Sequence, residues 1–167
     1  MKLAVEVHYE GDAATIAAVA FDEWQAPEAT RTYTSRIAHV EKAARGALDL
    51  RAVPFYLQLL REHALAPELI VINGFVHLDA QETPGLGWHL YTALGGRVAI
   101  VGVSKTPMPN TPAQFEVARE DETRPLIVTC VGLDLASAKA RLRAMHGKRR
   151  MPTLLKLVAR LAKGTTA

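Results

Sequence analysis

Apolar and polar positions in the first third of the chain follow a two-residue period. "KLAVEVHY", "ATIAAVAF" and "TRTYTSRIA" are strand-like runs separated by "EGDA" and "DEWQAPEA", both rich in turn-forming residues. This pattern predicts an antiparallel meander of three strands before any long helix. The period then changes. Val53, Leu57, Leu60 and Ala64 recur at helical spacing, Pro54 is tolerable in a first turn, and Pro67 marks the end of the helix.

A short apolar run, Leu69 to Ile72, reads as a buried strand that stops at Asn73-Gly74, a pair suited to a turn. "GLGWHLYTAL" predicts a helix closing on Gly95-Gly96, where glycine accommodates the left-handed cap. A second continuous apolar run, Val98 to Val103, follows that helix and should lie parallel to the strand before it. Beyond a proline-rich loop, "TPMPNTPAQ", two further strand candidates cover Gln114–Arg119 and Leu126–Cys130. Asp134 can cap a helix from Leu135 to about Met145, and Pro152 starts a last helix running to about Ala162. Three antiparallel strands followed by helix, strand, helix, strand match a ribonuclease-H-like α/β domain. The expectation is a mixed five-stranded sheet with helices on both faces plus C-terminal helices, and sites at the ends of its first and fourth strands.

Length fits this reading, since 167 residues suit one well-cored domain spanning residues 1–167. A hydrophobic fraction of 49% against 22% charged residues argues against long disorder. No apolar stretch approaches the ~18 residues of a membrane span, and "MKLAVEVHYEG" turns polar too early for a secretory leader. The lone Cys130 has no intrachain partner, so disulfides play no part and a reducing, cytoplasmic setting is expected.

The net charge of +3 is a weak signal, but its distribution is not uniform. From Lys139 to Lys163 the chain carries Lys139, Arg141, Arg143, Lys148, Arg149, Arg150, Lys156, Arg160 and Lys163 with no acidic residue among them. Such a run is either a solvated pair of helices or a surface facing phosphates, with Arg149 and Arg150 as candidate contacts.

Six ordered segments together resemble the endonuclease V family, which cuts next to deoxyinosine in DNA or inosine in RNA. "LAVEVHYEGDAATIAAVAF" is similar to the family's first hairpin, whose opening strand carries aspartate in a Val-Asp-Val-x-Tyr context. "GALDLRAVPFYLQLL" matches its Arg-Glu-x-Pro segment, and "PELIVINGF" its Pro-Asp-Leu-Val-Val-Asp-Gly strand. "GLGWHLYTALGGRVAIVGVSKTPM" is similar to the Gly-Leu-Ala-x-His-Leu-Gly…Ile-Gly-Val-Ala-Lys region. "RPLIVTCVGLDLASA" and "HGKRRMPTLLKLVARLAK" resemble the terminal strand and the Gly-Tyr-Arg-x-Pro helices.

The resemblance implies a magnesium or manganese site built from carboxylates at the positions of Glu6, Ala52 and Asn73, where a metal-bound water attacks phosphorus. Only Glu6 keeps a carboxylate here. Ala52 has no donor atom and Asn73 offers a neutral carbonyl oxygen, a loss that weakens a hard-cation site by several kcal/mol. Asp79 and Asp134, with Asp49, are the candidate substitutes, each of which also reads as a loop or cap residue.

Lys105 matches a lysine that the family places beside the scissile phosphate, where it stabilises charge on phosphorus or holds the backbone. Gly74, in the turn that follows Asn73, is a further candidate for nucleic-acid contact that the resemblance implies. His77 and His89 lack metal-ligand spacing and read as structural. The family's aromatic-and-proline wedge, Pro-Tyr-Ile-Pro-Gly, corresponds to "KAARG" at residues 42 to 46, so only Gly46 is kept and duplex separation loses its lever. The favoured expectation is an endonuclease V-like binder of DNA or RNA with impaired or lost cleavage, a pseudoenzyme of a DNA-repair fold. An active metal-dependent endonuclease and a protein-interaction module on the same fold are the alternatives.

Overall fold

A computed structural model describes residues 1–40, 50–119 and 123–164. Its strands are β1 (Lys2–Glu10), β2 (Ala13–Phe21), β3 (Arg31–Ile37), β4 (Leu69–Asn73), β5 (Ala99–Ser104), β6 (Glu116–Val117) and β7 (Leu126–Val131). Its helices are α1 (Val53–Glu62), α2 (Leu86–Ala93), α3 (Leu135–Ala144) and α4 (Thr153–Ala162). One mixed sheet has the order β3-β2-β1-β4-β5-β7-β6. β1, β2 and β3 form the expected meander, β4 runs parallel to both β1 and β5, and β7 is antiparallel to β5 and β6.

Alternation along β1 sorts its side chains between two cores. Leu3 and Val5 join Ile70, Ile72 and Ile100 under α1 and α2, where Tyr56, Leu59 and Leu90 are buried. Ala4 joins Val71, Val101 and Val103 on the other face, under α3 and α4, with Leu142, Leu154 and Val158. Buried on both faces, the central strands read as continuous apolar runs, which is why Leu69 to Ile72 and Val98 to Val103 were recognisable. The small Ala4 and Ala17 belong to the core that α4 closes over β1 and β2.

Two expectations change. The sheet has seven strands rather than five, because β7 and β6 extend it beyond β5. The strand expected over Gln114–Arg119 shrinks to Glu116–Val117 after a 3-10 turn at Ala113–Phe115. Only those two residues find ladder partners, in Ile127 and Leu126, before the chain leaves the sheet and Arg119 turns toward the connection between α3 and α4.

Candidate functional site

Sheet register brings Glu6 and Asn73 together from positions 67 residues apart. The parallel ladder ends on the pair Val5 and Ile72, so the next residue on each strand is Glu6 and Asn73, on the face covered by α4. The Asn73 amide donates to Glu6 Oε1 at 2.7 Å. An ionised carboxylate only accepts, so this bond turns the amide NH2 toward Glu6. Burial pushes the Glu6 carboxyl above its ordinary range, while the Asn73 bond and the charges of Lys163, Lys105 and His8 oppose that rise.

A close backbone crossing sets the position of the β4 end. The chain after Asn73 passes over β5 at Gly102, where a Cβ would stand 2.5 Å from the Gly74 carbonyl oxygen and 2.8 Å from Thr129 Oγ1. Gly74 N–H donates to the Val103 carbonyl, and Val76 N–H donates to Thr129 Oγ1 at 2.8 Å. With φ of +152°, Gly74 occupies a backbone region that side chains disfavour. Two glycines and one threonine therefore fix where Asn73 ends.

Beside the pair runs a groove of about 510 Å³ between the ends of β4 and β5 and helix α4. Glu6, the one acidic side chain lining it among the described residues, faces Lys105, Lys156, Arg160 and Lys163. The last three lie four and three residues apart on α4, the spacing that puts side chains on one face of a helix. They span about 10 Å of helix at 1.5 Å per residue. Leu154, Val158 and Ala162 anchor the opposite stripe of α4 in the core, so the cations are held over the groove by burial of their neighbours.

Other expected residues lie elsewhere. Ala52 is 4% exposed in the core beneath α1 and α2, not in the groove. Tyr56, one turn along, is buried, and burial with the charge of Glu6 raises its hydroxyl far above the ordinary tyrosine range. Asp79 is bound within its own loop, accepting from the Gln81 and Thr83 amides and the Thr83 hydroxyl, so its carboxyl is held below the usual range. Asp134 caps α3 as expected, accepting from the amide and hydroxyl of Ser137. The His77 ring lies tilted against Trp88 with centroids 5.9 Å apart, and His89 is exposed on α2; neither lines the groove. Arg149 is exposed outside the groove, and the Arg150 guanidinium turns inward to backbone carbonyls. Asp49 and the 42–46 segment lie outside the described residues.

These residues do not fit a divalent ion. Glu6 and Asn73 offer a single charge between them, and Glu6 Oε1 already accepts the Asn73 amide. Among the described residues, no three His, Cys, Asp or Glu side chains converge as a metal site. The groove is instead a cationic surface with a hydrogen-bonded Glu–Asn pair at its floor. Lys156, Arg160 and Lys163 were visible in the sequence only as members of a basic run; their spacing was the signal that singles them out.

No protein-family model matches the chain, and neither does any curated protein. Solved structures do. Ciona intestinalis endonuclease V, in complex with a 23mer DNA containing an inosine followed by a ribo-adenosine, is 16% identical with a TM-score of 0.75, over 98% of this chain and 83% of that one. Human endonuclease V is 19% identical with a TM-score of 0.71, over 98% and 82%. The Streptomyces avermitilis endonuclease V is 24% identical with a TM-score of 0.70, over 97% and 79%. The chain thus shares the fold of these endonuclease V structures, a ribonuclease-H-like α/β architecture.

Proposed function

We propose that this protein binds the phosphodiester backbone of DNA or RNA in the groove beside α4 and that phosphodiester cleavage is impaired or lost. The observation that carries the reading is the Asn73–Glu6 hydrogen bond at the strand end, where metal-dependent hydrolysis requires converging anions, beside four cations. Phosphate oxygens would be met by Lys105 at the end of β5 and by Lys156, Arg160 and Lys163 along α4. Such contacts position a backbone and carry no sequence information. Base selection by a wedge is not expected, since "KAARG" supplies neither an aromatic nor a proline.

The structural likeness to an endonuclease V seated on inosine-containing DNA supports the nucleic-acid part of this reading. The residue types at Glu6, Ala52 and Asn73 support the loss of cleavage. The test is fluorescence anisotropy with single- and double-stranded inosine oligonucleotides, with EDTA, magnesium or manganese. Binding should be indifferent to the metal and fall with salt at a log–log slope of about −3, from roughly four contacts at −0.7 to −0.9 each. Lys105→Ala and Lys163→Ala should each lower the slope by about 1. Metal-dependent cutting that Lys105→Ala abolishes would make the protein an active endonuclease. Absence of salt-sensitive binding would leave the protein-interaction reading.

A further inference from the structure

We infer that Arg150 is a positioning residue that sets Lys105 at the mouth of the groove by gripping the backbone carbonyl of Lys105 itself; this rests on the phosphate-binding reading of the groove. Arg150 Nη2 donates to the Lys105 carbonyl at 2.7 Å and to the Pro125 carbonyl at 3.1 Å, and its Nε donates to the Arg124 carbonyl at 2.6 Å. One guanidinium thereby joins the exit of β5 to the entrance of β7. Lys105 is exposed and follows the last residue of β5; Ser104 Oγ accepts from the Thr106 amide and donates to the Thr106 carbonyl, and Arg150 holds the carbonyl of Lys105 itself.

Arg150 is itself held from behind. Arg119, just past β6, donates through Nη1 to the carbonyls of Arg149 and Arg150 at 2.7 and 3.3 Å. Through Nη2 it donates to those of Met145 and Gly147 at 2.6 and 2.9 Å. Met145 is the C-cap of α3, where helix carbonyls lack intrahelical donors and a cation is favoured by the helix dipole. Arg119 therefore gathers the irregular connection between α3 and α4 into one shape, and Arg150 projects from that connection to the β5 exit. The same connection delivers Pro152 and the first turn of α4, so both walls of the groove are referenced to one clasp.

The chemistry needs arginine. A planar guanidinium presents several N–H donors in a fixed fork and stays charged, so it can span three carbonyls just outside the ends of two strands. A lysine ammonium on a flexible stem has no such fork. This also explains why an arginine in the basic run does not face solvent: it satisfies carbonyls that the sheet leaves unpaired.

Hydrogen exchange read by mass spectrometry, on the whole chain with no ligand, tests the clasp directly. In Arg150→Gln, amides over residues 104–106 should exchange at least about ten-fold faster, with β1 and β2 unchanged, as expected for local and not global opening. Arg150→Lys, which keeps charge and most of the length, should show a smaller increase at the same place and covers the case of poor folding of the first variant. Unchanged exchange at 104–106 in both variants, or an increase spread evenly over the sheet, overturns the inference. Oligonucleotide binding supplies the second arm. Lys105→Ala should weaken binding in the wild-type background and have little further effect in Arg150→Gln, whereas Lys163→Ala should cost the same fold-change in both. An intact Lys105 increment in Arg150→Gln defeats the inference while leaving the groove reading standing. If the wild type binds no oligonucleotide, the groove reading fails and the exchange data alone decide the clasp.

Discussion

Asn73→Asp tests the central feature of the site. The substitution replaces the amide nitrogen that donates to Glu6 Oε1 at 2.7 Å with a second carboxylate oxygen. It removes a hydrogen bond to a charged group, worth about 1.5–3 kcal/mol. It also sets two anions near each other; after relaxation to about 4 Å, at an effective dielectric constant of about 20, their repulsion is about 4 kcal/mol. Proton uptake limits that cost, since protonating an ordinary glutamate at pH 7 requires about 3.7 kcal/mol. Burial already favours the neutral form of Glu6, which lowers the limit further. A net loss of about 3 kcal/mol follows, or about 6–12 °C in melting temperature for a domain of this size.

The pH dependence has a definite sign. A carboxyl whose folded pKa is raised contributes stability that is fully present below its unfolded pKa and lost as pH rises through the folded value. The deficit of Asn73→Asp should therefore shrink on acidification from about pH 7 to about pH 5. Magnesium or manganese should recover much of it, about 2.7 kcal/mol at a hundred times the dissociation constant. The wild type should be indifferent to either ion. Scanning calorimetry of both proteins in EDTA and in millimolar metal makes the comparison. A variant as stable as the wild type at neutral pH, or a wild type equally stabilised by metal, would refute the reasoning.

Gly102→Ala puts a Cβ 2.5 Å from the Gly74 carbonyl oxygen, so it should cost about 1–3 kcal/mol in urea unfolding and weaken oligonucleotide binding by displacing the end of β4. Leu142→Ala, at a site 1% exposed on the buried face of α3, should cost about 2–5 kcal/mol in the same assay without changing the salt slope of binding. Asp134→Ala removes the α3 cap and should lower the melting temperature at neutral pH. Ser137 holds the Asp134 carboxyl below its ordinary range. The cap's contribution is therefore present above the unfolded pKa and is lost as pH falls through the depressed folded value, where the two melting curves should converge.

The elements were legible because the forces that choose them are local. A two-residue period, a helical period and punctuation by Pro67, Gly95 and Asp134 placed β1 to β5, β7 and the four helices to within a few residues. The parallel pairing of β4 with β5 followed from an intervening helix. The expected strand at Gln114–Arg119 did not survive at full length, because a strand exists only as far as a partner runs beside it, and β7 supplies two positions.

The site was legible in composition and not in arrangement. The sequence by itself determined that one carboxylate remains among Glu6, Ala52 and Asn73, and that the last two helices carry a basic run without an acidic residue. Only the tertiary structure decided that Asn73 donates to Glu6, that Ala52 is buried in the core, and that Lys156, Arg160 and Lys163 face Lys105 while Arg150 turns inward. The reason is physical. Side-chain period is set by neighbours three or four residues away, whereas the partner of a buried carboxylate or of an unpaired carbonyl is whatever the sheet order and the covering helix bring to it.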